Sequence, residues 1–149
     1  FPGNAVRFKS AYFVKCVGFD CDENGEVTTV HCTYDPESRG GNSPDGRKVK
    51  GTIHWVSAEG SFKATVNMYD RLFNVPNPSD ESTGSFKDNL NPDSLKVLTG
   101  CLIESGLKDV KPGDVFQFMR KGYFCVDKNS TCDNIIFNLT VPLNSSWGK

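Results

Sequence analysis

The sequence predicts an all-β chain whose short antiparallel strands close into small β-barrels, with little helix. Three observations point there. Apolar and polar residues alternate in brief runs, turn-forming Gly, Pro, Asn and Asp interrupt them at short intervals, and helical signals are confined to one stretch. A chain of 149 residues suffices for one ordinary domain or two small barrels, and buries roughly two-thirds of the surface its unfolded form exposes. Hydrophobic content of 37% and charged content of 23% fit a soluble globular protein. No apolar run approaches the ~20 residues that span a bilayer, and FPGNAVRFKS lacks the cationic start and apolar core of a signal peptide. No membrane association is expected. The net charge is −1, so a nucleic acid would have to be held by local cationic patches and specific contacts.

The first strand falls at residues 5–9, AVRFK, where apolar and cationic positions alternate. No Asp or Glu precedes Asp20, so Arg7, Lys9 and Lys15 make a basic beginning, a pattern shared by the solvated side of any strand. Asn24-Gly25 then joins VKCVGFDCD to VTTVHCTYD as a hairpin. A two-residue turn sets Cys21 opposite Thr28 and Cys32 opposite Val17, so that no two of Cys16, Cys21 and Cys32 are paired neighbours. The six cysteines contain no C-x-x-C. This spacing argues against a local disulfide or a zinc site and for free thiols in a reducing compartment.

Residues 39–51, RGGNSPDGRKVKG, form a Gly/Ser/Pro/Asp loop whose far end is basic at Arg47, Lys48 and Lys50; such ends touch phosphates or are simply solvated. Residues 51–60 read as a strand ending in a turn, with His54 packed in the strand because no nucleophile motif accompanies it. Residues 64–73 give a further strand. The stretch 75–85, VPNPSDESTGS, is the best boundary in the chain: Pro76 and Pro78 forbid regular pairing, and the polar run after them has nothing to bury. Helical signals fall in FKDNLNPDSLKVLTG, where Asn91-Pro92 would cap and open a helix and Gly100 would end it. Strands around 101–104, 113–127 and 134–143 complete the chain.

The stretch 113–127, GDVFQFMRKGYFCVD, carries the chemistry. It reads as a hairpin about a Lys121-Gly122 turn, with Gly supplying the positive φ. Gln117, Arg120, Tyr123 and Phe124 surround that turn, and no acidic residue lies between Phe116 and Phe124. Amide, guanidinium and ring faces on one exposed ribbon are groups that hold unstacked RNA bases. The same residues would also make an ordinary hairpin with its rings inward and its cations in water. Catalytic signatures are missing: there is no G-x-x-x-x-G-K-[ST], G-x-G-x-x-G or G-x-S-x-G, and the two histidines have no partner nucleophile nearby in sequence. No catalytic residue or metal ligand is assigned. Asn129, Asn138 and Asn144 each open a glycosylation triplet, which matters only in a secreted protein.

Several long strings carry a more specific signal. CTYDPESRGGNSPDGRKVKGTIHWVSAE, YDRLFNVPNP, LNPDSL, GDVFQFMRKGYFCVD and FNLTVPL together resemble the C-terminal anticodon-binding region of the glutaminyl-tRNA synthetase family. The resemblance covers nearly the whole chain, in the family's order and close to its spacing. The related glutamyl enzymes share the architecture, but KGTIHWVSAE is closer to the glutaminyl form. A ribosomal-RNA-binding barrel of related fold, or a secreted disulfide-bonded β-domain, are the other readings. The resemblance implies two antiparallel barrels, residues 1–74 being the distal one and residues 75–149 the returning portion of the proximal one. It implies tRNA(Gln) and the catalytic domain of the same polypeptide as partners, and a cytoplasmic location. The implied parent is a class I ligase that attaches glutamine to tRNA using ATP and Mg; its ATP-binding signatures are not in this chain, so no cofactor is assigned here.

Residue by residue, VRFK resembles the family segment whose two cations contact the first anticodon base and its phosphate, which gives those roles to Arg7 and Lys9. The family usually has Arg at the second position, and Lys9 forgoes its planar fork. Gln117 and Arg120 match the pair that reads the middle base, uracil: an amide both donates and accepts, and a guanidinium adds charge and a donor fork. Arg47, Lys48 and Lys50 are expected on the tRNA backbone. In a regular strand Gln117 and Arg120 would face opposite sides, so a bulge or an edge position is expected near them. Leu139 and Asn144 stand where the family usually has Arg, and neither can replace the backbone interactions of those arginines.

Overall fold

The computed structural model describes residues 2–40 and 43–143, and among them the chain is β apart from three single turns of 3₁₀ helix. It divides into two compact units, Phe1–Trp55 and Val56–Lys149. The all-β expectation holds.

The first unit is a four-stranded sheet of β1 (Ala5–Phe8), β2 (Phe13–Cys21), β3 (Val27–Asp35) and β4 (Thr52–Ile53), in the order β3-β2-β1-β4. β1 and β4 run parallel, so the sheet is mixed rather than wholly antiparallel. Phe13 and Val14 are its buried residues on β2. They are held by Ser38, wholly buried in the 3₁₀ turn Pro36–Ser38, whose hydroxyl accepts from the Phe13 N–H at 2.7 Å and donates to the Asp35 carbonyl at 2.6 Å. Residues 51–60 contribute only the two-residue β4; Trp55 beyond it donates from Nε1 to the Lys9 carbonyl at 3.0 Å and stacks on Phe8 at 5.8 Å.

From Gly18 to Asp20 the β2–β3 register is the one expected, facing His31, Val30 and Thr29, and it departs from that pairing on either side. The loop spans Asp22 to Glu26, because the Asp22 carboxylate accepts from both the Asn24 and Glu26 N–H groups at 2.9 Å, and the two backbones close it again through Asp22 N–H to Glu26 O. Gly25 does take a positive φ, 82°. The irregularity between Asp20 and Cys21 sets Cys21 opposite Val27, and the bulge between Cys16 and Gly18 sets Cys16 opposite Cys32. Two cysteines expected apart are thus register partners. All six cysteines are free.

The second unit is a five-stranded sheet in the order β6-β5-β9-β8-β7. Its strands are β5 (Phe62–Tyr69), β6 (Leu95–Ile103), β7 (Val115–Phe118), β8 (Gly122–Val126) and β9 (Ile136–Pro142). β5 and β9 pair in parallel and the remaining neighbours are antiparallel. Ala64, Val66, Ile103, Phe124, Val126, Ile135 and Phe137 form its core. Burying each of these larger side chains contributes about 1.5–3 kcal/mol.

The helix expected after Asn91-Pro92 is a strand. Asn91 closes one turn by accepting from the Ser94 N–H at 3.1 Å, its side chain accepts from the Asp93 N–H at 3.0 Å, and the chain then extends as β6 along β5. Pairing with β5 outweighs the local cap signal. Gly100, at φ 69°, lies where the β5–β6 register shifts, rather than at a helix end. The stretch 75–85 lies inside the second unit, in the loop between β5 and β6. Its polar run, residues 79–85, is exposed throughout, as expected; the buried residue is Asn89 beyond it, whose amide donates to the Thr83 carbonyl and hydroxyl and to the Ser85 carbonyl at 3.1–3.4 Å.

Candidate nucleic-acid interface

The β7–β8 hairpin sorts its side chains by strand alternation. Phe116, Phe118, Phe124 and Val126 turn inward, where Phe118 stacks on Phe124 at 4.5 Å and meets Phe137 edge-on at 5.1 Å. Phe124 is 1% exposed, so its ring, expected on the ribbon's open face, belongs to the core. The rings thus divide: Tyr123, partner of Gln117 across the ladder, remains exposed beside it. Exposed Val115 lies two residues along the same face as Gln117, and exposed Val141 pairs with Tyr123 on β9.

The turn also differs from expectation. Its hydrogen bond runs from the Lys121 N–H to the Phe118 carbonyl at 2.9 Å, which makes Met119 and Arg120 the central residues. Arg120, within the turn, takes a positive φ of 63°, and Gly122 has the positive φ expected of it, 149°. Gly122 is a strand residue opposite Phe118, required because a Cβ there would lie 2.7 Å from the Val141 carbonyl oxygen. Gln117 thus stands in the strand and Arg120 in the turn, and both are exposed. An amide that both donates and accepts, a tyrosine ring and a guanidinium thus share one hairpin end.

In the first unit, Arg7 on β1 is half-buried, and its guanidinium lies over the Phe13 ring at 5.1 Å. Its Nε is buried with no hydrogen-bond partner among the described residues. Arg47 approaches the same ring at 5.7 Å, pairs with Asp35, and reaches Asp45 at 3.7 Å. Phe13 as a shared platform for two cations, at roughly 0.5–1 kcal/mol for each when partly exposed, is a feature that sequence reasoning missed. Its only trace in the sequence is an aromatic residue within a basic beginning. The Asp45 carboxyl is held below its ordinary pKa by the Ser43 hydroxyl and the Arg47 N–H. Lys9 is exposed, with its backbone fixed between Ile53 and Trp55. Lys48 and Lys50 are exposed on either side of half-buried Val49.

His54, expected to be packed, is exposed just beyond β4. Asn138 engages both ends of its amide inside the second unit: Oδ1 accepts from Asn67 at 2.8 Å and Nδ2 donates to Asp127 at 2.5 Å. Asn129 lies in the loop after β8, and Asn144 lies outside the described residues. Leu139 faces Phe124 and packs against the core. Among the described residues no group of three or more His, Cys, Asp or Glu side chains could hold a metal ion, and no helix is long and apolar enough to cross a membrane.

Two family models, both described as the anti-codon binding domain of class I tRNA synthetases (E and Q), match residues 52–127 and residues 1–35. Curated relatives include a glutamine–tRNA ligase of Rhodopirellula baltica, 54% identical over 99% of this chain and 24% of the relative. Another, of Cupriavidus metallidurans, is 51% identical over 100% of this chain and 26% of its own length. A third, of Proteus mirabilis, is 47% identical over 99% and 26%. The chain spans about a quarter of the length of these relatives.

Proposed function

The chain belongs to the anticodon-binding domain family of class I tRNA synthetases for glutamate and glutamine, and on that premise we propose that it is the part of a glutamine–tRNA ligase that recognises the anticodon of tRNA(Gln). The observation that supports this reading is the end of the β7–β8 hairpin, where Gln117, Tyr123 and Arg120 are all exposed. Gln117 and Arg120 receive the middle base, uracil. The amide meets a pyrimidine edge that needs both a donor and an acceptor, and the guanidinium adds donors and charge. Arg7 and Lys9 receive the first base and its phosphate, and Arg47, Lys48 and Lys50 the backbone. Arg47 is already engaged with Asp35 and Asp45, so Lys48 and Lys50 carry most of that contact.

The mechanism is recognition rather than bond chemistry. Bases pulled out of the stack offer a ring face and a hydrogen-bonding edge, with stacking contributing about 1–3 kcal/mol per base. The adenylate-forming chemistry, with its ATP and Mg, belongs to the catalytic domain of the proposed parent, and a cytoplasmic location goes with that parent. The same reading assigns residues 1–74 to a distal and residues 75–149 to a proximal barrel of the family; the compact units themselves divide at Trp55/Val56.

The test is filter binding of the intact synthetase to anticodon stem-loops altered one base at a time. A change at the middle base is expected to weaken the wild-type protein most, and Gln117→Ala is expected to erase that discrimination. Equal binding to all stem-loops, or preference for ribosomal RNA fragments, would overturn the reading.

A further inference from the structure

Cys16 and Cys32 sit opposite each other on β2 and β3. The Cys16 N–H donates to the Asn4 carbonyl at 3.0 Å, and its carbonyl accepts from the Gly3 N–H at 2.8 Å. Both backbone groups are therefore spent on the side away from β3. Facing Cys32, Cys16 belongs to a non-hydrogen-bonded antiparallel pair, the type in which Cα atoms come to about 4.5 Å and side chains lie closest. That spacing falls within the range a disulfide spans. Register partners point to the same face, so the two thiols share one side of the sheet. Cys32 is exposed on the outermost strand of its sheet, and Cys16 is half-buried, its thiol donating to the Gly18 carbonyl at 3.5 Å across the bulge.

From this juxtaposition we propose that Cys16 and Cys32 form a reversible cross-strand disulfide, made by peroxide and undone by a dithiol. The exposed Cys32 thiolate attacks the O–O bond of hydrogen peroxide, giving a sulfenic acid and, after protonation of the leaving hydroxide, one water. The Cys16 thiolate then attacks that sulfur, forming the S–S bond and expelling hydroxide, which is protonated to a second water. In sum two thiols lose two hydrogens and one peroxide becomes two waters. The bridge clamps β2 to β3 across the bulge at the base of the hairpin.

The test uses the intact protein in a Cys21→Ser background, so that only one cysteine remains between Lys15 and Glu23. After peroxide, free thiols are alkylated and the protein is cleaved at Lys, Arg and Glu without reduction, with exposed Cys132 as the reference for oxidant exposure. The expected result is a peptide pair joined through Cys16 and Cys32, lighter than its parts by two hydrogens. Both thiols are lost to alkylation together and return together with dithiothreitol. In Cys16→Ser, the Cys32 sulfenic acid accumulates and is trapped by dimedone. Oxidised Cys32 beside alkylated Cys16 in the same molecules, a link from Cys32 to any other cysteine, or no link once Cys132 has reacted, would each overturn the proposal. Should either serine variant fail to fold, fragment sequencing of the wild-type cross-link decides between Cys16 and Cys21 on its own.

Discussion

At Gly122 the neighbouring strand leaves no room for a methyl group. A Cβ there would lie 2.7 Å from the Val141 carbonyl oxygen and 2.8 Å from Leu139 Cδ1. The leucine tip can swing away, but the carbonyl belongs to the β8–β9 ladder and cannot. Gly122→Ala is therefore expected to cost about 1–3 kcal/mol, read as a lower urea midpoint at unchanged slope; a wild-type midpoint would show the strands are not so close. Arg120 is the contrasting residue. It holds a positive φ that glycine adopts at no steric cost, so Arg120→Gly removes the guanidinium without spoiling the turn. Stability is expected to stay within about 1 kcal/mol, because relieved strain offsets the added freedom of the unfolded chain. Affinity for the cognate stem-loop is expected to fall about ten- to a hundredfold in filter binding. Undiminished affinity would remove Arg120 from the interface. Gly122 has the positive φ expected of it but stands in the strand, while Arg120 occupies the turn, and nothing local in the sequence reveals a carbonyl arriving from a strand almost twenty positions later.

Strand identity was legible wherever alternation was regular, as in VFQF and GYFCV, and illegible where an element depends on a distant partner. Asn91-Pro92 carries the start signal of a helix, yet β6 forms because β5 is there to pair with it. The β2–β3 register was legible from Gly18 to Asp20 and illegible on either side, where irregularities between Cys16 and Gly18 and between Asp20 and Cys21 shift the pairing. Asp127 shows the same kind of long-range wiring, with a consequence for pH. Its carboxylate accepts from the Asn129 N–H at 2.8 Å and from the Asn138 amide, and these bonds hold its pKa below the ordinary value. A carboxyl whose folded pKa is lowered contributes stability above its unfolded pKa, near ~3.9, and loses it as pH falls through the folded value. Asp127→Asn is thus expected to flatten the acid limb: wild-type unfolding free energy should drop more steeply than the variant's below about pH 4. Superimposable acid limbs in urea titrations would show that Asp127 does not tie β8 to β9.

Across the whole chain, seventeen Lys and Arg face eighteen Asp and Glu, which leaves no net field to draw in a polyanion from afar. Attraction to RNA must then be local, exerted within a Debye length of about 8 Å at physiological salt. Lys48 and Lys50 suit that role because both are exposed and neither is needed to hold the sheet. A cation on a phosphate acts by displacing a counterion, so its removal weakens every RNA alike and makes binding less sensitive to salt. Replacing both with Ala is expected to flatten the slope of log affinity against log salt by about 0.7 for each single-strand phosphate that is no longer neutralised. Preference among anticodon bases should not change. Gln117→Ala is expected to do the reverse, altering preference at the middle base while leaving the salt slope intact, because an uncharged amide releases no ion. The two variants measured side by side separate charge from base reading. A lysine pair that shifted base preference at an unchanged slope would mean that the loop between β3 and β4 reads sequence rather than backbone.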